Sequence, residues 1–325
     1  IMRIGFLGKG GSGKTTTAAA FILWAKKHHS HVVALDADVN VHLGKTLSLP
    51  TPPKALSESW GEIIRHVVGH RDLKNTQMIN TTPPNFESAF IDPSDSNDPF
   101  FKTFASHEDG VTLLNVGTYK ADDVGESCYH AKLGSLAVSL HHMLDSRNDL
   151  IVADTTAGTD NVATSMFFAY DLNVMIIEPT LRSIQVFKDF EALSSPFGIQ
   201  LKAIVNKVED QEDRDFVKEH IDASKIIAFM PLSQNVLKIE QGQPERLHDY
   251  AEEASDQLSA IYAALQATPK DWTGYYKNLL FAHKRLHTEW YDQSLNQDAS
   301  LQVQDGFSYE KAIEGFYKQN KKAAS

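Results

Sequence analysis

The chain has 325 residues, of which 42% are apolar and 22% charged, with 18 Gly, 12 Pro and a single Cys. That composition excludes a collagen-like, coiled-coil, disulfide-rich or wholly disordered protein. With Lys+Arg 31 against Asp+Glu 42, the net charge of −11 gives no general help to binding DNA or anionic lipid. One thiol cannot close an intramolecular disulfide, and no run reaches the roughly 18 apolar residues of a membrane span. Met2 to Leu7 is too short for the apolar region of a signal peptide, so the expectation is a cytoplasmic protein.

Apolar runs rich in Val and Ile recur at 2–7, 32–36, 111–116, 150–153, 172–178, 201–205 and 226–230. Most lack polar alternation, and helix-compatible stretches separate them. This predicts an α/β fold: a doubly wound, mainly parallel sheet of seven to eight strands flanked by helices over 2–240. Residues 241–325 lose the strand pattern and read as a helical C-terminal extension.

Directly after the first run comes Gly8-Lys9-Gly10-Gly11-Ser12-Gly13-Lys14-Thr15-Thr16, leading into the helical Ala18-Ala19-Ala20-Phe21-Ile22-Leu23-Trp24. The backbone N–H groups of Gly10, Gly11, Ser12, Gly13 and the helix start at Lys14, Thr15 and Thr16 suit a phosphate cradle. Lys14 would neutralise the β and γ phosphates, and the Thr15 hydroxyl would hold Mg²⁺. Lys9 is a second lysine that an ordinary phosphate loop does not need. Here the chain resembles the deviant Walker A, or SIMIBI, group of dimeric ATPases. That group includes the nitrogenase iron protein, MinD, ParA and the CooC-type nickel-insertion ATPases of carbon monoxide dehydrogenase. The resemblance implies a homodimer in which Lys9 reaches the partner's phosphates; an exposed lysine that raises the local potential is the plainer alternative.

The second run ends in Asp36-Ala37-Asp38, at the edge of the sheet where doubly wound folds bind ligands. In the resembling group this is the first switch. Asp38 is the expected water-activating group, with Asp36 in the metal shell or, alternatively, capping the strand end. Seven prolines and the polar run 92–98 break the rhythm over 50–110, which reads as a helix near 55–69 followed by an irregular insertion.

Gly125-Glu126-Ser127-Cys128-Tyr129-His130 precedes a helix-like stretch, Leu133 to Leu144. The segment resembles the G-E-G-C-Y-C of the nickel-insertion ATPases, with His130 in place of the second cysteine. The resemblance implies a metal site shared across the dimer, where two Cys128 and two His130 would make a Cys₂His₂ set for Zn²⁺ or Ni²⁺. From the residues alone, a C-x-H spacing is weak evidence of metal, and Cys128 reads as a small buried hydrophobe and His130 as a surface residue. The pairs His66/His70 and His283/His287 lack the Glu of a helical zinc motif and read as packed or solvated histidines.

Asp154-Thr155-Thr156-Ala157-Gly158 follows the fourth run and matches the group's second switch, whose Asp serves the Mg²⁺ shell. After the sixth run, Asn206 carries an amide suited to a purine edge, and Pro231 matches the next base-side turn. Asn206-Lys207-Val208-Glu209 also resembles a guanine-reading N-K-x-D, but Glu209 is one methylene too long and Lys9 favours ATP.

Within the extension, Trp272 to Trp290 presents an apolar stripe at helical spacing, expected to pack on the core, with a partner-docking helix as the alternative. Tyr309–Lys322 resembles the membrane-targeting helix that ends MinD, but its few large apolar residues argue against membrane binding. The reading is a slow Mg·ATP-hydrolysing dimer, a nucleotide switch in metallocentre assembly with a client protein. The alternatives are a partition or positioning ATPase, which the acidic charge disfavours on DNA, and a regulatory ATPase whose extension binds a protein.

Overall fold

A computed structural model describes residues 2–38, 40–73, 75–119, 129–145, 149–157, 166–288 and 297–323. Eight strands form one sheet in the spatial order β3-β4-β2-β5-β1-β6-β7-β8. They span β1 (Met2–Gly8), β2 (Val32–Asp36), β3 (Ser106–Glu108), β4 (Val111–Asn115), β5 (Leu150–Ala157), β6 (Leu172–Ile177), β7 (Leu201–Val208) and β8 (Ile226–Pro231). All neighbours pair in parallel except β3 with β4. Seven strands lie on the seven apolar runs. The eighth, β3, is short and polar and falls in the stretch read as irregular; it borrows its order from β4 and carries no apolar pattern of its own.

Alternate residues of the strands feed two cores. Ile4, Phe6, Val32, Ala34, Leu150, Val152, Val174 and Ile176 face one side, while Leu7, Val33, Leu35, Ile151, Ala153, Met175 and Ile177 face the other. Period two with both sets apolar is why these strands read as continuous hydrophobic runs. The first side is covered by α1 (Lys14–Ala25), whose run of Ala18, Ala19 and Ala20 lets the helix lie close to the sheet. Later helices complete that layer: α8 (Gln234–Glu240), α9 (Arg246–Glu253) and α10 (Ser255–Ala267).

The chain leaves β1 for β2 on one side and returns through β5 to reach β6 on the other. The carboxyl end of β1 is therefore the point where the winding reverses, and a crevice opens there.

On the opposite face, α3 (Trp60–Val67), α4 (Pro99–Phe104), α5 (Tyr129–His141), α6 (Leu181–Ser194) and α7 (Gln211–His220) share the core with α11 (Trp272–Leu286) and α12 (Tyr309–Ala323). The short α2 (Leu43–Thr46) follows the end of β2. The helix expected near 55–69 is present as a 3₁₀ turn, Leu56–Glu58, followed by α3.

Residues of the C-terminal extension are continuous with both cores. Leu258, Ile261 and Leu265 join the first, and Trp272, Tyr275, Phe307 and Tyr309 join the second. A fully buried Arg3 at the start of β1 donates through Nε to Asp145 Oδ2 at 2.9 Å. Lys270 bridges Asp145 at 3.0 Å and Asp171 at 3.1 Å, and its ammonium lies 4.2 Å from the Trp272 ring centre. The insertion is tied in by polar stitches: Arg71 donates to the carbonyls of Pro83 and Gln302, and Gln302 bonds Thr76 and Thr82. In α12, Tyr309 and Ala312 are buried and Ile313 and Phe316 pack against the core, so its apolar side is already covered. No described helix is long and apolar enough to cross a membrane.

Candidate nucleotide site

The loop between β1 and α1 is shaped by two local requirements. Gly13, which caps α1, has φ +91°, and a Cβ there would collide with the Asn206 amide, so only glycine suits the position. Ser12 N–H donates to Lys9 O at 3.2 Å, closing the turn that precedes the helix. Gly10, Gly11 and Gly13 then line a cavity of about 750 Å³ together with Lys14, Thr15 and Thr16. The size is that of a small-molecule or cofactor cleft, roughly 300–1,000 Å³.

At its floor the carboxyl ends of three strands meet. Lys14 Nζ lies 2.6 Å from Asp154 Oδ1 and 3.1 Å from Asp38 Oδ2, and Thr15 Oγ1 donates to Asp154 Oδ2 at 2.6 Å. Asp38 Oδ1 accepts from the backbone and side chain of Asn40 at 3.0 and 3.1 Å. Asp36 Oδ2 accepts from Leu43 N–H at 2.9 Å, while Asp36 Oδ1 is buried with no hydrogen-bond partner among the described residues. β2 and β5 pair with Asp36 opposite Asp154, which is why both acids arrive at one spot.

The charges are unbalanced. Burial pushes the Asp36 carboxyl up to about 8, and the neighbouring Asp154 charge adds to the shift. Burial alone would lower Lys14, but the carboxylates of Asp154 and Asp38 hold it above its ordinary value, so it stays an ammonium. Three acids against one close cation, one of them with an orphaned oxygen, form an oxygen-rich donor set. Together with the Thr15 hydroxyl, that set suits a hard divalent ion such as Mg²⁺.

The remaining expected residues fall in different places. Lys9 lines the cavity half-buried, and its Nζ donates to Arg182 O at 3.1 Å. Ser12 is buried behind the loop. Asn206 is not a cavity wall: its Nδ2 donates to Ser12 O at 2.8 Å from the far side of the loop. Pro231 is exposed at the end of β8, away from the lining. Cys128 and Gly158 lie outside the described residues; His130 is the second residue of α5, and its side chain lies outside them too. Among the described residues no group of three or more His, Cys, Asp or Glu could hold a metal by itself. The His283 ring is buried between Thr81 and the Ala299 carbonyl, and His66 packs edge-on to Phe100 and Phe104.

Residues that sequence reasoning did not single out complete the cavity. Ile239, Glu240, Gly242 and Pro244 form one wall, and His42 and Tyr119 part of another. The Gly242-Gln243-Pro244 punctuation after α8 was the available signal for the first wall.

Comparison with known proteins bears on this constellation directly. The family described as CobQ/CobB/MinD/ParA nucleotide binding domain matches residues 6–245. The chain belongs to that family. It is a P-loop ATPase of the SIMIBI class. It is similar to an uncharacterized ATP-binding protein of Methanocaldococcus jannaschii, 26% identical over 73% of this chain and 90% of that relative. It is also similar to the carbon monoxide dehydrogenase accessory protein CooC of Rhodospirillum rubrum, 25% identical over 81% of this chain and 96% of that relative. In fold it resembles apo McdA from Cyanthece, with a TM-score of 0.52 and 13% identity over 81% of this chain and 99% of that one. The family's match ends at residue 245, after the last strand, β8.

Proposed function

We propose that this chain is a slow ATP hydrolase that dimerises around Mg·ATP and acts as a nucleotide-driven switch in metallocentre assembly. The observation that carries the reading is the meeting of Lys14, Thr15, Asp38 and Asp154 at the mouth of a glycine-shaped loop. The loop N–H groups and the start of α1 bind phosphate oxygens, and Lys14, poised between two carboxylates, shifts its charge onto the incoming phosphates. Thr15, Asp36 and Asp154 are the groups that would hold Mg²⁺. When bound, that ion neutralises charge on the phosphate oxygens.

Asp38, released from Lys14, orients the attacking water and takes its proton. Lys9 reaches the phosphates held by the partner subunit, which makes hydrolysis depend on dimerisation. Because Asp36 ends β2 and Asp38 follows it directly, a change in what Lys14 touches alters the path of the segment after β2.

The output rests on similarity to CooC and on the Cys128–His130 segment. Two protomers would supply Cys128 and His130 twice over, a tetrahedral set for Zn²⁺ or Ni²⁺, for delivery to or sensing by a client protein. Metal analysis of the dimer purified with Mg·ATP tests this output. The expected content is about one Zn²⁺ or Ni²⁺ per two chains, lost in Cys128→Ala. Metal content unchanged by that substitution, or none bound in the parent after equilibration with either ion, contradicts it.

A further inference from the structure

Asn206 and Lys207 are consecutive in β7, yet both side chains reach the same loop. In a regular strand adjacent side chains point to opposite faces. Here the pairing of β7 with β8 shifts register between Val205 and Val208, and Lys207 has φ +59°, the left-handed region that a non-glycine residue seldom adopts. The bulge turns two neighbouring donors onto two neighbouring acceptors. Asn206 Nδ2 donates to Ser12 O at 2.8 Å, and Lys207 Nζ donates to Gly11 O at 2.7 Å. A second bond from Lys207 Nζ, to Glu178 Oε1 at 2.6 Å, ties the ammonium to the end of β6. The Glu178 backbone N–H is in turn held by Ser183 Oγ at 3.0 Å.

Lys207 does not wall the cavity, so this ammonium acts on the ligand only through the loop. A loop binds phosphate when its N–H groups converge on the concave side and its carbonyls turn outward; an inward carbonyl would repel the anion. We infer that Lys207 is a positioning residue for phosphate binding, whose ammonium, braced by Glu178, holds the Gly11 carbonyl outward while Asn206 does the same for Ser12. This rests on the reading of the loop as the phosphate site and deepens it. It also gives Asn206 a task distinct from purine recognition. The strained Lys207 backbone belongs with this assignment, because without the left-handed turn the lysine would face the other side of the sheet.

The test separates a positioning role from a structural one by pairing affinity with stability. Affinities of the full chain for Mg·ADP and for AMP are measured by calorimetry, with melting temperature alongside, for the parent, Lys207→Met, Lys207→Gly and Lys207→Arg. Loss of a charge-assisted hydrogen bond that shapes the loop weakens Mg·ADP about tenfold in the Met and Gly variants. AMP, which lacks the terminal phosphates, is expected to bind them as it binds the parent. Lys207→Gly relieves the backbone strain, so it melts no lower than the parent while losing affinity, and Lys207→Arg restores most of the Mg·ADP binding. Unchanged Mg·ADP affinity in a parent and variants that all bind well overturns the inference alone. So do equal losses for ADP and AMP, or an affinity loss accompanied by a lower melting temperature in both Met and Gly variants. A parent that binds no nucleotide overturns the reading of the site, and this inference with it.

Discussion

His142 is fully buried at the end of α5, where its Nδ1 bonds the Val138 carbonyl at 2.8 Å and its Nε2 has no hydrogen-bond partner among the described residues. Burial drives its pKa down to about 3, and the adjacent buried His141 is lowered in the same direction, by burial first and then by His142 and Arg3. Both rings are therefore neutral in the folded protein and cost stability when protonated. The unfolded chain binds protons near the ordinary histidine value of 6.5, so it holds more protons than the folded chain between that value and about 3. The His142 contribution is complete above pH 6.5 and falls as the pH drops through that window, by about 1.4 kcal/mol per pH unit. Buried Asp36, raised to about 8, acts in the opposite direction, so the His142 share is read as a difference: between pH 6.5 and pH 5 the urea midpoint of the parent should fall relative to that of His142→Gln, which keeps a donor for Val138 without a titrating ring. An acid slope identical in parent and variant contradicts the assignment.

At the scale of elements, the C-terminal helices are part of the folding unit. Trp272, at the start of α11, is 7% exposed, stacks on Tyr309 of α12 at 4.6 Å and lies 5.2 Å from the buried Arg3 guanidinium. Tyr275, one turn later, bonds His141 Nδ1 through its hydroxyl at 2.6 Å, so α11 also secures the end of α5. Trp272→Ala empties a site that joins α11, α12 and β1, and its cost should be about 3–5 kcal/mol. A large fall in the urea midpoint with an unchanged far-ultraviolet spectrum is the expected outcome; a midpoint within error of the parent would show that the extension merely rests on the domain.

The elements differ in how plainly the sequence announces them. Seven strands are legible because their residues are apolar on both faces, and α11 because its stripe follows helical spacing. β3 is not, because Ser106, His107 and Glu108 owe their order to pairing with β4. The irregular reading of 50–110 also missed α4, six residues long, which Asp98 caps by accepting from Phe100 N–H and Pro99 starts. The same holds at the site: Lys14, Thr15, Asp38 and Asp154 are marked by local motifs at strand ends. Ile239 to Pro244 come from a helix end distant in the chain, and Lys207 depends on a bulge that no residue pattern reveals. Asn206 is marked by its type at a strand end, but its bond to the loop backbone is set by the fold and has no sequence signal.

For the whole molecule, the sheet order places one crevice at the winding reversal, and the strand ends that feed it carry three acids, while the family's domain spans residues 6–245. The extension and the 50–110 insertion are stitched together through Arg71 and Gln302, neither of which lines the crevice. The two loop lysines should then separate by role, Lys14 serving its own nucleotide and Lys9 the partner's. The most direct measurement is Mg·ATP turnover together with sedimentation of the parent, Lys14→Ala and Lys9→Ala. The account predicts ATP-dependent dimerisation and slow hydrolysis in the parent and no turnover in Lys14→Ala. In Lys9→Ala it predicts retained nucleotide binding with turnover reduced at least tenfold, because the transition state loses a charge supplied in trans. If both variants hydrolyse ATP at the parent's rate, the assignment of this site as the catalytic centre is wrong.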